Sequence, residues 1–257
     1  SVAFRLAMLS RLFGLMLLPP TIWLAACAPP APQPTEKVET PLEIEASYRL
    51  LFNEQLVGIA LFELEIAEDG NYRIDAFTTP AGQMEDQSDD EVLETSLGKL
   101  EAGAIRPALF QHSVMRGGLF EVVSLAFDWK DHRLHVEGED AQRDVVLLPG
   151  THDRLSYLLE AHRLAAAGEG ASQIQIASPD ATEETVLEVV GKGPLEVPSG
   201  RYEALSIRRL TPVDGESRQL WFDTRVGPLP LRVLREHGGN TVDMRLEQIS
   251  RHPNDPR

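Results

Sequence analysis

The chain has 257 residues, of which 40 are acidic and 24 are Lys or Arg, and its formal net charge is −16 at pH 7. So acidic a chain argues against binding to nucleic acid and against close electrostatic docking on anionic lipid. It contains one cysteine, so no disulfide can form within the chain and its stability must come from the burial of apolar side chains.

The first 26 residues have the composition of an export signal. Arg5 and Arg11 are basic, no acidic residue precedes Glu36, and residues 12–18 are apolar apart from one glycine. A transmembrane helix needs about 20 apolar residues. This shorter run is followed by two prolines, so it is better explained by a cleaved signal peptide than by a membrane span. We therefore expect residues 1–26 to be a signal peptide.

The single cysteine follows at once. Leu24, Ala25, Ala26 and Cys27 resemble the lipobox of bacterial lipoproteins. The resemblance implies that the thiol of Cys27 carries a lipid and that the chain is cleaved before it; several acyl chains together anchor a protein stably. Ala28 stands where an inner-membrane retention signal has aspartate. We therefore expect anchoring to the outer membrane of a Gram-negative bacterium, facing the periplasm. An ordinary signal cleaved near Ala26 is the alternative.

A proline-rich segment separates the cysteine from the rest of the chain. Five prolines lie between Pro29 and Pro41, and such segments stay extended at about 3.1 Å per residue, which gives a tether of about 40 Å. We expect residues 27–41 to be the lipidated cysteine and its tether. A single domain over residues 42–252 and a disordered tail over residues 253–257 should follow.

From residue 42 the pattern is that of β-strands. Apolar and polar residues alternate over residues 42–50, 58–66 and 72–77, as they do in half-buried strands. Residues 53–55 and the pair Asp69-Gly70 predict the turns between these strands. The sequence therefore predicts that the domain opens with a meander.

Residues 85–91 are acidic and polar and are predicted to form a solvated loop. A calcium site is the alternative, since Asp86, Asp89, Asp90 and Glu91 offer hard oxygen ligands. However, the glycine and the terminal glutamate of an EF-hand loop are missing.

One helix is predicted in the remainder of the chain. Asp153 is placed to cap a helix in which Leu155, Leu158 and Leu159 share one face, and Gly168 is expected to end it. The other predicted elements are strands at residues 113–115, 120–129, 133–137, 145–148, 174–176, 185–190, 202–210, 218–222, 231–236 and 242–249, with turns at residues 191–194, 214–215 and 238–240.

Ten to twelve strands and a single helix predict a mainly β fold. One helix cannot cover both faces of a parallel sheet. We therefore expect a large curved antiparallel sheet or half-barrel, with the helix packed on its concave side.

Several short segments stand in a specific order along the chain: Tyr48-Arg49-Leu50, Val57-Gly58, residues 103–107 before Phe110, Phe127-Asp128-Trp129, residues 149–156, residues 197–205, Leu220-Trp221-Phe222-Asp223 and Leu229-Pro230-Leu231-Arg232. In this order they resemble a family of exported bacterial proteins, the domain of unknown function 3108 (DUF3108). The resemblance implies an envelope protein akin in shape to the LolA-like half-barrels that cradle lipid or peptide. It implies no activity.

No set of catalytic side chains is recognisable. Lipidation would consume Cys27, and no Gly-x-Ser-x-Gly turn presents a nucleophile. His132 and His135 lie three residues apart, and such positions face opposite sides of a strand, so a zinc site would need ligands from elsewhere. We expect no enzyme activity, no metal ion and no cofactor.

Aromatic rings beside carboxylates suggest a ligand groove, in which a few polar groups orient an apolar guest. The alternative is that these rings pack the sheet, that the acids face water and that the leucine face of the helix fills the concave side. The groove candidates are Trp129, Asp128, Trp221, Leu155, Leu158 and Leu159.

Two functional hypotheses follow. In the first, the protein is a non-catalytic envelope lipoprotein that binds a lipid, an acyl chain or a peptide in a half-barrel cavity during maintenance of the cell envelope. In the second, it is a structural lipoprotein that docks another envelope protein through a sheet edge or an acidic face. The first hypothesis predicts an apolar cavity of several hundred Å³ under the helix, and the second predicts a filled interior with an exposed edge strand.

Overall fold

The computed structural model describes residues 41–101, 103–138, 142–210 and 215–252, which lie within one compact unit, residues 36–257. They form fifteen strands, one α-helix and a short 3-10 turn, Gly82–Met84. The helix α1 is Ser156–Ala167. The strands are β1 (Leu42–Phe52), β2 (Gln55–Ile66), β3 (Asn71–Pro80), β4 (Glu91–Glu101), β5 (Ala104–Arg116), β6 (Leu119–Asp128), β7 (Arg133–Glu137), β8 (Gln142–Val146), β9 (Thr151–His152), β10 (Ala171–Ala177), β11 (Thr182–Val197), β12 (Gly200–Leu210), β13 (Glu216–Phe222), β14 (Arg232–His237) and β15 (Asn240–His252).

All fifteen strands belong to one sheet, in which the first and last strands are neighbours at the centre. Strands β1 to β8 follow one another outward on one side of the sheet, and β15 to β9 follow one another on the other side. Neighbouring strands are antiparallel, apart from the short β9, which is parallel to β10. The predicted mainly β fold with one large antiparallel sheet is therefore confirmed.

The sheet curves so far that its two edges approach each other. Only residues 147–150 link the edge strand β8 to β9 at the opposite edge, and so short a link spans at most about 18 Å. In addition, β9 contacts β5, which belongs to the other half of the sheet. Twist accumulates over so many strands, and here it produces an enclosed concave face.

The inner face of the sheet carries the core. Along β1, β2 and β3 the apolar residues Ile44, Tyr48, Leu64 and Ile74 have no exposed surface, while their immediate neighbours along each strand are exposed or half-buried. This is the alternation that the sequence predicts, because successive side chains of a strand point to opposite faces.

The helix α1 lies inside this curve. It contacts β5 on one side and β10 to β13 on the other, and Leu158, Leu159, Ala161 and Ala165 are buried. The helix ends where predicted, at Gly168, whose φ of +80° is a left-handed conformation that glycine adopts without strain. Within the described residues no helix is long and apolar enough to cross a membrane.

A buried polar network fixes the first turn of α1. Asp153 has no exposed surface, and its Oδ1 accepts hydrogen bonds from the backbone N–H groups of Leu155 and Ser156, each at 2.8 Å. Its Oδ2 accepts a 2.7 Å hydrogen bond from the Ser96 hydroxyl on β4, and the Tyr72 hydroxyl lies 3.4 Å from the same Ser96 oxygen. Burial raises the pKa of Asp153. The predicted capping role of Asp153 is confirmed, and the same side chain ties the helix to the sheet.

The structure corrects several predicted boundaries. Strand β4 was not predicted, and β5 begins at Ala104 rather than at residue 113. Gly98 is part of the reason that β4 was not predicted, since a glycine interrupts the pattern of a strand. A glycine is needed here because a Cβ would lie 2.4 Å from the backbone oxygen of Arg106 and 2.5 Å from the Tyr72 hydroxyl. A register shift opposite Gly98 accommodates Pro107, which has no N–H for the ladder.

Three further predictions are corrected in the second half of the sheet and at its edge. Residues 191–194 do not turn but continue β11, with a bulge between Val189 and Gly191. Strand β8 is Gln142–Val146, so the predicted strand over residues 145–148 begins and ends too far along the chain. The sheet has fifteen strands rather than ten to twelve, and both β4 and the two-residue β9 lie where no strand was predicted.

Asp153→Ala should lower the free energy of unfolding by about 2–4 kcal/mol, because it removes a helix cap and leaves buried donors without partners. Asp153→Asn keeps an acceptor for the two backbone N–H groups and should lose less than half as much. Urea unfolding monitored by circular dichroism measures both variants. A loss below about 0.5 kcal/mol in the alanine variant would show that the network does not hold the helix.

Candidate functional site

Two clefts, both open to solvent, lie side by side where α1 meets one end of the sheet. Strand ends come together there: β1 begins at Leu42, β2 ends at Ile66, and β5 begins at Ala104. The two clefts share Gly103, Ala104, Ile105 and Arg163 as a common wall. We call them the apolar cleft and the polar cleft, after the residues that line each.

The apolar cleft has a volume of about 420 Å³. The charged side chains that line it are Arg163 and Arg251, and no aspartate or glutamate is among its described lining residues. His162 and Thr224 are its other polar side chains. The apolar residues that line it are Leu42, Ile66, Leu100, Ala104, Ile105, Leu159, Ala166 and Pro228.

The polar cleft has a volume of about 430 Å³ and a different chemistry. Its lining includes Trp129, Arg106, His152, Glu160 and Ser172. Glu160 and Arg163 lie three positions apart on α1, so they share one face of the helix. This face separates the polar cleft from the apolar one.

Glu160 is held as an ion. Its side chain is 6% exposed, and it accepts hydrogen bonds from Arg163 at 2.6 and 2.9 Å and from the Ser172 hydroxyl at 2.8 Å. Burial by itself would raise the pKa of Glu160, but these hydrogen bonds outweigh burial and lower it. A carboxylate so tightly bonded is poorly suited to exchange protons with a ligand.

Two histidines line the clefts: His152, which is buried, lines the polar cleft, and His162, which is half-buried, lines the apolar cleft. Burial lowers the pKa of both His152 and His162 to about 4, so both are neutral at pH 7. The Nδ1 of His152 and the Nε2 of His162 have no hydrogen-bond partner in the described part of the chain. The His162 ring packs edge-on against Phe222, with 5.9 Å between centroids.

Two of the predicted groove residues are the pair Asp128 and Trp129. Trp129 lines the polar cleft, where its Nε1 donates a 2.6 Å hydrogen bond to the carbonyl of Pro107 and the Arg106 guanidinium lies 5.9 Å from its ring centroid. The carboxylate of Asp128 accepts hydrogen bonds from the backbone of Lys130 and Asp131, in the turn after β6.

The other four candidates lie in or against the core. Trp221 packs on it under the guanidinium of Arg232, 5.0 Å from the ring centroid. Leu155 and Leu158 are buried within the core, while Leu159 also forms part of the apolar cleft. The structure therefore brings Trp129 and Leu159 to the clefts but places them in different ones.

The predicted lipid-attachment site, Cys27 with Leu24, Ala25 and Ala26, lies outside the described residues. In the part of the chain that the structure describes, no three His, Cys, Asp or Glu side chains are grouped where they could hold a metal ion. His135, one half of the histidine pair considered for zinc, is hydrogen-bonded to Asp144 on β8.

Sequence reasoning missed several residues that line the clefts. Arg251, His152, Glu160 and Arg163 were not predicted to form a site. The Glu160–Arg163 pair has helical spacing, which is a detectable but common signal. Arg251 comes from β15, about ninety residues further along the chain, and only the sheet topology brings it to α1.

Comparison with known proteins identifies a family and a fold. The family described as "Protein of unknown function (DUF3108)" matches residues 47–247. A crystal structure of a β-barrel-like protein of the domain of unknown function DUF1849, from Brucella abortus, is similar with a TM-score of 0.54 and 12% identity, over 84% of this chain and 99% of that one. A protein with a YmcC-like fold from Bacteroides fragilis gives a TM-score of 0.34 and 10% identity, over 82% and 96% of the two chains. Comparison with the curated proteins finds no match.

The low pKa of His162 predicts a pH-dependent stability. An unfolded histidine titrates near 6.5 and the folded one at about 4, so between these values the unfolded state binds the extra proton. The contribution of His162 is therefore complete above pH 6.5 and is lost by about 1.4 kcal/mol per pH unit as the pH falls towards 4.

The stability advantage of the wild type over His162→Gln should accordingly shrink between pH 7 and pH 4.5 in urea unfolding experiments. His237→Gln, at an exposed position at the end of β14, is the matched control. An advantage that is constant over this range would show that His162 gains its proton as easily in the folded protein as in the unfolded one.

Proposed function

The chain belongs to the DUF3108 family, and we propose that it is a non-catalytic envelope lipoprotein that binds a lipid, an acyl chain or a peptide in its apolar cleft. The apolar cleft itself carries this proposal. Its volume of about 420 Å³ lies within the range of roughly 300–1,000 Å³ found for small-molecule sites, which are mostly apolar with a few placed polar groups.

The cleft is lined by residues of a helix and of strands that hydrogen bonds keep in place. Leu159 comes from α1, whose first turn is bonded to the sheet through Asp153, and Leu42 and Ile66 come from neighbouring strands in register. A site on regular elements needs little ordering when a ligand enters, which favours binding. This supports a binding role for the end of the sheet where α1 lies.

The side chains around the clefts favour binding over catalysis. Glu160 is neutralised by Arg163, and His152 and His162 are neutral at pH 7 with pKa values of about 4. A general acid or base works best when its pKa lies near the working pH. None of these three groups meets that condition.

The proposed anchor precedes in sequence a strand that lines the same cleft. Leu42 is the first residue of β1 and lines the apolar cleft, and the tether of residues 27–41 leads to it. With a reach of about 40 Å, a lipidated Cys27 would keep the cleft within a short distance of the membrane surface. This supports a protein that receives or holds its ligand next to the outer membrane, on the periplasmic side.

A second candidate function is docking to another envelope protein at the edge of the sheet. All five residues of β8 are exposed, and Val146 is 72% exposed. An exposed edge strand presents unpaired backbone groups to which a partner strand can add. Docking at β8 would not depend on the apolar cleft, so a variant that fills the cleft distinguishes the two functions.

Ala166→Trp should block the apolar cleft. Ala166 is exposed on the last turn of α1 and lines the cleft, so an indole there would occupy it with little cost to the core. The affinity for the uncharged fluorescent probe N-phenyl-1-naphthylamine should fall about tenfold or more, which is 1.4 kcal/mol or more. Fluorescence titration of the full chain measures this.

Ala167→Trp is the matched control, since Ala167 is the next exposed residue of α1 and does not line the cleft. It should bind the probe as the wild type does. Absence of probe binding by the wild type, or equal affinities in the two tryptophan variants, would count against a ligand site in this cleft.

Cys27→Ser should abolish lipidation. Cells fed an alkyne-bearing fatty acid should label the wild type and the control Ala31→Ser but not the cysteine variant, and only the labelled proteins should sediment with membranes. Gel fluorescence after click coupling reads out the label. Labelling that persists in Cys27→Ser, or a wild type without label, would contradict the lipoprotein assignment.

A further inference from the structure

Almost all the arginines that the structure describes in this acidic protein have a carboxylate partner. Among the described residues, every arginine except Arg143 and Arg251 lies within 4.0 Å of an aspartate or glutamate oxygen. Arg143 instead donates to the carbonyl of Pro179 at 2.6 Å. The side chain of Arg251 makes no hydrogen bond or ion pair within the described ranges, and this side chain lines the apolar cleft.

The register of the sheet directs Arg251 towards this cleft. Arg251 on β15 is paired with Ile44 on β1, and paired residues place their side chains on the same face. Ile44 is fully buried on the inner face. The guanidinium of Arg251 therefore stands at the inner rim, where β15 nears its end.

Arg163 adds a second positive group to the same rim. Its Nε and Nη2 bond to Glu160, while its side chain remains 55% exposed and lines both clefts. The Glu160 carboxylate lines the polar cleft and not the apolar one. In a chain with a net charge of −16, the apolar cleft therefore carries positive charge without a carboxylate in its wall.

We propose that the ligand of the apolar cleft is a single-chain amphiphile whose anionic head group, a carboxylate or a phosphate, binds Arg251 at the rim with Arg163 beside it. This inference rests on the proposed binding function. The apolar chain lies against Leu42, Ile66 and Leu159, and a cavity of about 420 Å³ suits one chain better than a lipid with several. The guanidinium offers planar, charge-assisted hydrogen bonds that match either anion.

The test compares ligands that share one chain and differ in head group. Dodecanoate, dodecyl phosphate, dodecanol and dodecyltrimethylammonium, each below its micelle concentration, compete with N-phenyl-1-naphthylamine for the full chain carrying Cys27→Ser, which has no attached lipid. At least one of the two anions should displace the probe at a concentration about tenfold lower than dodecanol. The cation should be the weakest competitor, and the preference should decrease as salt is added.

Arg251→Gln should lose the preference for the anions over dodecanol, when each competitor is compared with the affinity of this variant for the probe. Arg251→Lys should retain part of that preference. Arg143→Gln is the matched control, because Arg143 is the other described arginine without a carboxylate partner. It lies on β8, away from the clefts. This variant should behave as the wild type.

The outcomes separate the two proposals. Whichever anion is preferred, carboxylate or phosphate, identifies the head group of the ligand. Equal displacement by dodecanol and the anions, or a preference that survives in Arg251→Gln, would overturn the anionic ligand and leave the binding function standing. A protein that binds neither the probe nor any of these amphiphiles would overturn both.

Discussion

The buried carboxylate of Asp153 joins α1 to the sheet that surrounds it, and the interior of the protein is organised around this contact. Its oxygens accept two backbone N–H groups at the start of the helix and the hydroxyl of Ser96 on β4. A buried carboxylate is costly unless its hydrogen bonds are made, so helix and sheet favour one relative position. In that position α1 fills the interior of the curved fifteen-stranded sheet, which would otherwise be empty.

The same placement creates the two clefts. Once the first turn of α1 is fixed inside the sheet, the helix face that carries Leu159, Arg163 and Ala166 lies at the end where β1 begins and β15 ends. Leu159 and Ala166 then face the apolar cleft, while Glu160 faces the polar one. The paired charges of Glu160 and Arg163 stand between the clefts, so one helix separates an apolar binding surface from a polar one.

The accuracy with which the sequence predicts secondary structure differs from one element to the next. The strict alternation in β1, β2 and β3 predicted strands that the structure confirms, because one face of each is buried and the other is solvated. Strand β4 lacks this pattern, since Gly98 makes room for Tyr72 and the adjacent residues Thr95 and Ser96 are both buried. In β11, glycines and a proline suggest a turn, but the ladder with β12 continues through a bulge.

The amino-acid sequence alone determined the fold class, the single helix with its cap at Asp153 and its end at Gly168, and the match to the DUF3108 family. These depend on local periodicity, on capping chemistry and on short segments in order, all of which are encoded within a few residues of one another. The tertiary structure decided which side chains meet at the clefts. Arg251 and Leu42 come from opposite ends of the domain and reach α1 only because the last strand pairs with the first, and no local pattern encodes that contact.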